Sequence, residues 1–113
     1  MSENSTSNTP KIKRVTSEEL CKRFNDGGYW GKTKTGELTA HVMESNISTL
    51  LTQESVQIIS QMISYRDYQG NEVARVHQFV RPDGSLAASG LPDPKRLLEN
   101  GILYRLEKKP KTV

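Results

Sequence analysis

The sequence predicts an α+β domain in which a small antiparallel sheet of four to six strands carries two or three short helices. Three observations support this prediction: several short runs alternate apolar and polar residues, turn-forming pairs separate these runs, and a helix-capping sequence lies near the start. The 113 residues have room for one domain. Because only 34% of the residues are hydrophobic, the core must be small.

The first predicted element is a helix over residues 16–25. Thr16 is followed three residues later by Glu19, a spacing typical of a capping box, in which a hydroxyl and a carboxylate satisfy the first free N–H groups of a helix. The sequence Asn-Asp-Gly-Gly at residues 25–28 then favours the end of the helix.

A strand and a stretch with two interpretations come next. Residues 37–44 alternate between apolar and polar side chains and predict a half-buried strand, for which residues 29–32 are a candidate partner. Residues 46–61 fit both a helical stripe and a strand. We expect a helix over 46–54 and then a strand.

The strongest local signal is a β-hairpin. Two runs with high β-propensity, residues 62–68 and 72–80, flank the pair Gly70-Asn71, which readily adopts the positive φ angles of a tight turn. This turn predicts Arg66 opposite Arg75 and Ser64 opposite His77, on the outward side of the hairpin. Two opposed arginines repel each other unless an acid or an anion lies between them.

The remaining elements follow from turn residues. Residues 86–89 are expected to form a short strand, and residues 94–99 a short helix that Asn100-Gly101 ends in a left-handed conformation. Residues 102–107 alternate again and predict a closing strand.

One segment contains unusually many residues that restrict the backbone. It reads His-Gln-Phe-Val-Arg-Pro-Asp-Gly over residues 77–84 and continues with Ser-Gly-Leu-Pro-Asp-Pro-Lys-Arg-Leu over residues 89–97. Residues 77–106 resemble a segment of small uncharacterised bacterial proteins of unknown function. This resemblance implies no activity.

The charges predict three regions: a disordered N-terminal arm over residues 1–14, a single domain over 15–107 and a basic flexible tail over 108–113. Lys and Arg exceed Asp and Glu by three at each end of the chain, whereas acids exceed bases by three in the middle, counted over residues 1–36, 105–113 and 37–104. This distribution places the excess positive charge on the two ends rather than on the body. Basic ends of this kind either bind phosphates or keep a tail in solution.

The outward side of the hairpin and the segment after it hold the candidate anion- or nucleic-acid-binding residues. Arginine and lysine pair with phosphate oxygens, and backbone N–H groups at a helix start add to such a site. The candidates are Arg66, Arg75, His77, Arg81, Lys95 and Arg96. The alternative is structural, with arginine stems covering apolar neighbours.

A catalytic interpretation uses the same residues. His77 would be the general base of a small metal-independent, toxin-type ribonuclease, with Arg75 and Arg81 stabilising the charged transition state. Nucleotide hydrolysis is excluded, because the Gly-Lys-Thr at residues 31–33 lacks the rest of a phosphate-binding loop. We expect no metal and no cofactor, since His41 and His77 have no further ligands at metal-like spacing.

The sequence therefore favours a small non-enzymatic binding or accessory protein that contacts a macromolecular partner, either a protein or nucleic acid. We expect a monomer or a homodimer. No run approaches the roughly 18 apolar residues of a membrane span, and residues 1–30 have no apolar stretch typical of a secretion signal, so a cytoplasmic protein without membrane contact is expected.

Overall fold

A computed structural model describes residues 9–48 and 56–108. Their fold is α+β, with one six-stranded sheet and one bent helical segment. In chain order the elements are β1 (Lys11–Val15), α1 (Ser17–Asp26), α2 (Tyr29–Thr35), β2 (Thr39–Ile47), β3 (Ile59–Arg66), β4 (Glu72–Val80), β5 (Asp93–Glu99) and β6 (Ile102–Leu106). Across the sheet the strand order is β1-β6-β5-β4-β3-β2.

The helical segment packs on one face of the sheet and encloses the core. Leu20 and Phe24 of α1 are almost fully buried and meet Val76 and Leu97 of the central strands, which are also inaccessible to solvent. The rings of Phe24 and Tyr65 lie 5.9 Å apart between centroids. Because alternate residues of a strand point to opposite sides, the residues between these core positions lie on the other face of the sheet.

The start of α1 confirms the predicted N-cap at Thr16, while the Glu19 carboxylate accepts a hydrogen bond from Arg23. The hydroxyl of Thr16 accepts a hydrogen bond from the backbone N–H of Glu19 at 3.1 Å. Glu18 and Glu19 stand in the first turn, where the helix dipole favours negative charge.

β1 corrects the prediction for the N-terminal arm. Lys11 to Val15 form an edge strand that pairs in parallel with β6, so the expected disorder over residues 1–14 does not hold from Lys11 onward. This pairing also makes the sheet mixed, whereas an antiparallel sheet was predicted. Four of the five residues of β1 are exposed, and backbone hydrogen bonds to β6, which the apolar pattern does not reveal, hold it in place.

The helix predicted over residues 94–99 is a strand, β5. Asn100 and Gly101 have φ angles of 52° and 78°, and Glu99 pairs with Ile102 across them. Positive φ at both central residues defines the two-residue hairpin turn that Asn-Gly favours. The pair Asn100-Gly101 is therefore a hairpin turn between β5 and β6, and not the end of a helix.

The helices also differ in number from the prediction. Residues 29–32 lie in α2 and not in a strand, and α1 and α2 form one bent segment instead of two or three separate helices. Gly28 permits the bend, since its φ of 66° lies in the left-handed region that favours glycine. Tyr29 then stacks on Phe24, with 5.9 Å between the ring centroids, and closes the core.

The predicted hairpin between β3 and β4 is confirmed, but its register was wrong. Ser64 lies opposite Arg75, and a bulge after Tyr65 places Arg66 opposite Glu72. The difference arises because the connection uses five residues, from Asp67 to Asn71, with the Asp67 carboxylate accepting two backbone N–H bonds. A longer loop shifts the pairing that follows it.

Two further predictions fall near the gap in the described chain. Residues 46–47 end β2, and the rest of the helix predicted over residues 46–54 lies mostly outside the described residues. The strand expected over residues 86–89 is reduced to an isolated bridge between Val80 and Leu86. None of the helices in the described part of the chain has the length and apolar character that a membrane crossing requires.

Candidate functional site

A row of arginines crosses the sheet on the face opposite the helices. Arg14 of β1 pairs with Arg105 of β6, Arg105 pairs with Arg96 of β5, and Arg96 pairs with Arg75 of β4. Since directly paired residues lie on the same side of a sheet, the four side chains share one face. Strands are about 4.8 Å apart, so the row extends over roughly 14 Å.

Arg66 of β3 lies beside this row, because its Nε donates a hydrogen bond to Ser64, the residue opposite Arg75. We call the five residues together the arginine face; its members are Arg14, Arg66, Arg75, Arg96 and Arg105. They are five of the seven arginines in the whole chain. The helices of the described structure pack on the other side, where the core lies.

Glu72 holds the arginine face together from within. Its carboxylate accepts hydrogen bonds from Nε and Nη2 of Arg75, at 3.1 and 3.0 Å, and from the hydroxyl of Ser64 at 2.6 Å. A guanidinium nitrogen of Arg96 lies 3.9 Å from the same carboxylate. Ser64 is fully buried, so this network satisfies a polar group that would otherwise be costly to bury.

The pKa shifts describe the balance of charge within this network. Burial favours the protonated form of Glu72, but the hydrogen bonds from Ser64 and Arg75 and the charges of Arg75 and Arg96 outweigh it and lower the pKa of the carboxyl group. The pKa of Arg96 is lowered by burial and by the positive charges of Arg75 and Arg105. The arginines are thus close enough to repel one another, and one carboxylate compensates them only in part.

Apart from Glu72, the acidic residues at the neighbouring paired positions on this side, Glu44 and Asp93, lie farther along the strands. The next pairs in register on the arginine side are Met62 with His77 and His77 with Asp93, and Glu44 of β2 pairs with Met62. The positive charge is therefore concentrated at one end of the sheet, next to the hairpin between β3 and β4.

An apolar row runs parallel to the arginines on the same face. Ile12 pairs with Leu103, which pairs with Leu98. Ile12 is more than half exposed. The face thus combines cationic and apolar positions.

His77 lies on the same side but away from the arginine row. Its Nε2 atom is 2.7 Å from the hydroxyl of Ser60, and its ring meets the Phe79 ring edge-on at 4.7 Å. Burial and the charge of Lys95 lower the pKa of His77, and Asp93 opposes this effect. The imidazole is therefore held in its neutral form at neutral pH.

The other predicted site residues are placed apart from the row. Arg81 lies in the turn after β4, where it donates a hydrogen bond to the carbonyl of Leu86 at 2.8 Å. Lys95 lies at the bulge of β5 and pairs with Asp93 at 2.9 Å. The helix start at residue 94, which was expected to place Lys95 beside free backbone N–H groups, does not exist, because residues 93–99 form a strand.

A cleft of about 460 Å³ opens beside the end of β4. Phe79, Ala88 and Leu91 line it together with Cys21 of α1. Burial, followed by the charge of Asp93, raises the pKa of the Cys21 thiol, which makes the thiol a weak nucleophile. In the described residues, no three His, Cys, Asp or Glu side chains are grouped closely enough to hold a metal ion.

The structure therefore brings together three of the predicted anion-binding residues, Arg66, Arg75 and Arg96, and adds Arg14 and Arg105. Sequence reasoning missed Arg14 because it assigned that residue to the disordered arm. Arg105 carried a usable signal, since it alternates with the buried Tyr104 on the predicted closing strand. Glu72 could not be identified, because its position depends on the bulge in the hairpin.

Comparisons with protein-family models, with curated proteins and with solved structures found no match for this chain. The resemblance of residues 77–106 to small bacterial proteins stays a prediction.

Proposed function

We propose that the protein is a non-enzymatic binding protein whose arginine face holds the phosphate backbone of a single-stranded nucleic acid. One observation carries the proposal: five of the seven arginines lie on one side of the sheet, although they come from five different strands. Packing like charges side by side costs stability, so a surface of this kind is best explained by an anionic partner.

The chemistry of the surface favours phosphate groups on a flexible strand. Guanidinium groups match phosphate oxygens in planar pairs, and contacts of this type fix a nucleic acid without reading its sequence. The apolar row of Ile12, Leu98 and Leu103 lies beside the arginines and offers apolar contact to unstacked bases, which a duplex does not present.

The contacts of His77 favour binding over the ribonuclease alternative. A nuclease needs the base and at least two cations to converge on one reacting phosphate. His77 is engaged with Ser60 and Arg81 with Leu86, and Lys95, which is close enough to lower the pKa of His77, is paired with Asp93. The cations near His77 are thus occupied by partners of their own.

Fluorescence anisotropy with a labelled single-stranded RNA of mixed sequence tests the proposal. We expect binding that weakens steeply between about 50 and 200 mM salt, because each phosphate contact releases counterions. Replacing Arg96 or Arg105 by glutamine should weaken binding about 5- to 10-fold and reduce the slope of log affinity against log salt by about one. Lys22→Gln is the matched control, since it removes one positive charge from an exposed position on α1.

If the protein did not bind the RNA at low salt, the proposal that it binds phosphate groups would be wrong. If Arg96→Gln and Lys22→Gln weakened RNA binding equally, net charge alone would drive binding. That result would contradict a role for the arginine face. A duplex of the same sequence should bind more weakly than the single strand. RNA recovered after incubation should be intact, whereas cleavage that stops in His77→Ala would favour the ribonuclease.

A further inference from the structure

β2 is an edge strand that has a bulge and one acidic residue but no lysine, arginine or proline. All nine of its residues are exposed, and no strand among the described residues pairs with its outer side. Edge strands commonly carry lysine, arginine or proline, which discourage pairing with other chains. β2 has none of these residues, whereas the opposite edge, β1, has Lys11, Lys13 and Arg14.

Exposed apolar side chains are concentrated at this same edge. Seven large apolar residues of the described structure are strongly exposed. Four of them lie on β2 or just before β3: Val42, Met43, Ile47 and Val56. A monomer gains nothing from apolar side chains at an unpaired edge, and such a patch commonly marks an interaction surface.

We infer that β2 pairs antiparallel with β2 of a second copy of this chain. A second copy suits this edge, because a two-fold axis places β2 of one copy against β2 of the other. The sequence of β2 then has to complement only itself, in the reverse direction. This inference rests on the edge and does not depend on the proposed binding of nucleic acid.

The bulge in β2 limits the registers that are open to this pairing. Met43 is an extra residue between Val42 and Glu44, so Val42, Ser45 and Ile47 all lie on the helix side of the sheet. Several registers keep each face of the sheet continuous. The one that sets the two most exposed apolar residues of β2 against each other places Ser45 opposite Ser45 of the second copy. Val42 then lies opposite Ile47, both of them apolar, and Glu44 lies opposite Asn46.

This register is favourable at each position. The exposed fractions of Val42 and Ile47 are 57% and 61%, and pairing would cover apolar surface on both. The carboxylate of Glu44 lies opposite the side-chain amide of Asn46, which can donate a hydrogen bond to it. The two Glu44 carboxylates of the dimer do not face each other. The two-fold axis would be perpendicular to the sheet, so both arginine faces would lie on the same side of one twelve-stranded sheet.

A cysteine introduced on the axis gives the most specific test. Directly opposite residues of an antiparallel pair have Cα atoms about 4.5–5.5 Å apart, which suits a disulfide. In a Cys21→Ser background, we expect Ser45→Cys to form a covalent dimer under mild oxidation at a rate at least about 10-fold above that of Thr39→Cys, a control at the exposed start of the same strand. Equal rates for the two variants would overturn the proposal.

Sedimentation equilibrium of the full chain supplies the second measurement. We expect a reversible dimer in the micromolar range, since edge pairing alone buries less surface than large permanent interfaces. Val42→Lys should abolish it, and Ile12→Lys, which changes an equally exposed apolar residue on the other edge, should leave it unchanged. A monomer at every concentration, or a dimer that Val42→Lys does not weaken, would show that β2 is not the interface.

Discussion

Glu72 is the residue on which the arrangement of the arginine face depends. It accepts hydrogen bonds from Ser64 and Arg75 and lies near Arg96, so its loss leaves a buried hydroxyl and several guanidinium groups without their shared acceptor. We expect Glu72→Gln to lower the free energy of unfolding at neutral pH by about 1–3 kcal/mol, measured by urea denaturation. Glu107→Gln, at an exposed carboxylate, should change it by less than about 0.5 kcal/mol.

The lowered pKa of Glu72 also predicts a pH dependence with a definite sign. A carboxyl group whose pKa is lower in the folded state stabilises the fold above its ordinary pKa of 4.5, and this contribution is lost as the pH falls through the folded-state value. Between pH 7 and acid pH, the wild-type protein should therefore lose more stability than Glu72→Gln. Parallel curves for the two proteins would contradict the assigned role of Glu72.

Arg96 is expected to contribute to binding rather than to stability. Burial and the charges of Arg75 and Arg105 lower its pKa, which means that its positive charge is unfavourable where it stands. Arg96→Gln should leave the free energy of unfolding unchanged within about 0.5 kcal/mol or raise it slightly, while it weakens RNA binding. A loss of stability above about 1 kcal/mol would show that Arg96 is instead a structural residue.

At the scale of elements, the turn between β5 and β6 decides whether the arginine row exists, because it places Arg96 opposite Arg105. Gly101 has a φ of 78°, a conformation that strains any residue with a Cβ atom. Gly101→Ala should lower the free energy of unfolding by about 1 kcal/mol or more in urea. Gly31→Ala, in the exposed part of α2 and with open space around it, should instead be neutral or stabilising.

Some elements of the fold are determined by local sequence signals, and others are not. The capping box before α1 and the hairpin between β3 and β4 depend on neighbouring residues, and both were predicted. β1 depends on a partner that is distant in sequence, β6. For β5 the local signal is ambiguous: Asn100-Gly101 suits both a helix end and a hairpin turn, and only the pairing of β5 with β4 and β6 selects the turn. The same tertiary pairing, rather than any motif, assembles the arginine row.

At the scale of the whole molecule, charge counted along the chain differs from charge in space. The sequence places its positive excess at the two ends and a negative excess in the middle. β1 and β6 bring Arg14 and Arg105 from those ends into the sheet, where they join Arg75 and Arg96 from the middle. A cationic surface on the body therefore arises from the parallel pairing of the first and last strands, which are distant in sequence.

The central claim is that this surface, and not the basic ends of the chain, holds the anionic ligand. Titration of the ¹⁵N-labelled protein with a short single-stranded RNA, followed by NMR, tests it most directly. We expect the amide shifts to concentrate at Arg75, Arg96 and Arg105 and the exposed side of α1 to stay unchanged. Shifts confined to α1 or to the residues around Lys108, with none on the arginine face, would contradict it.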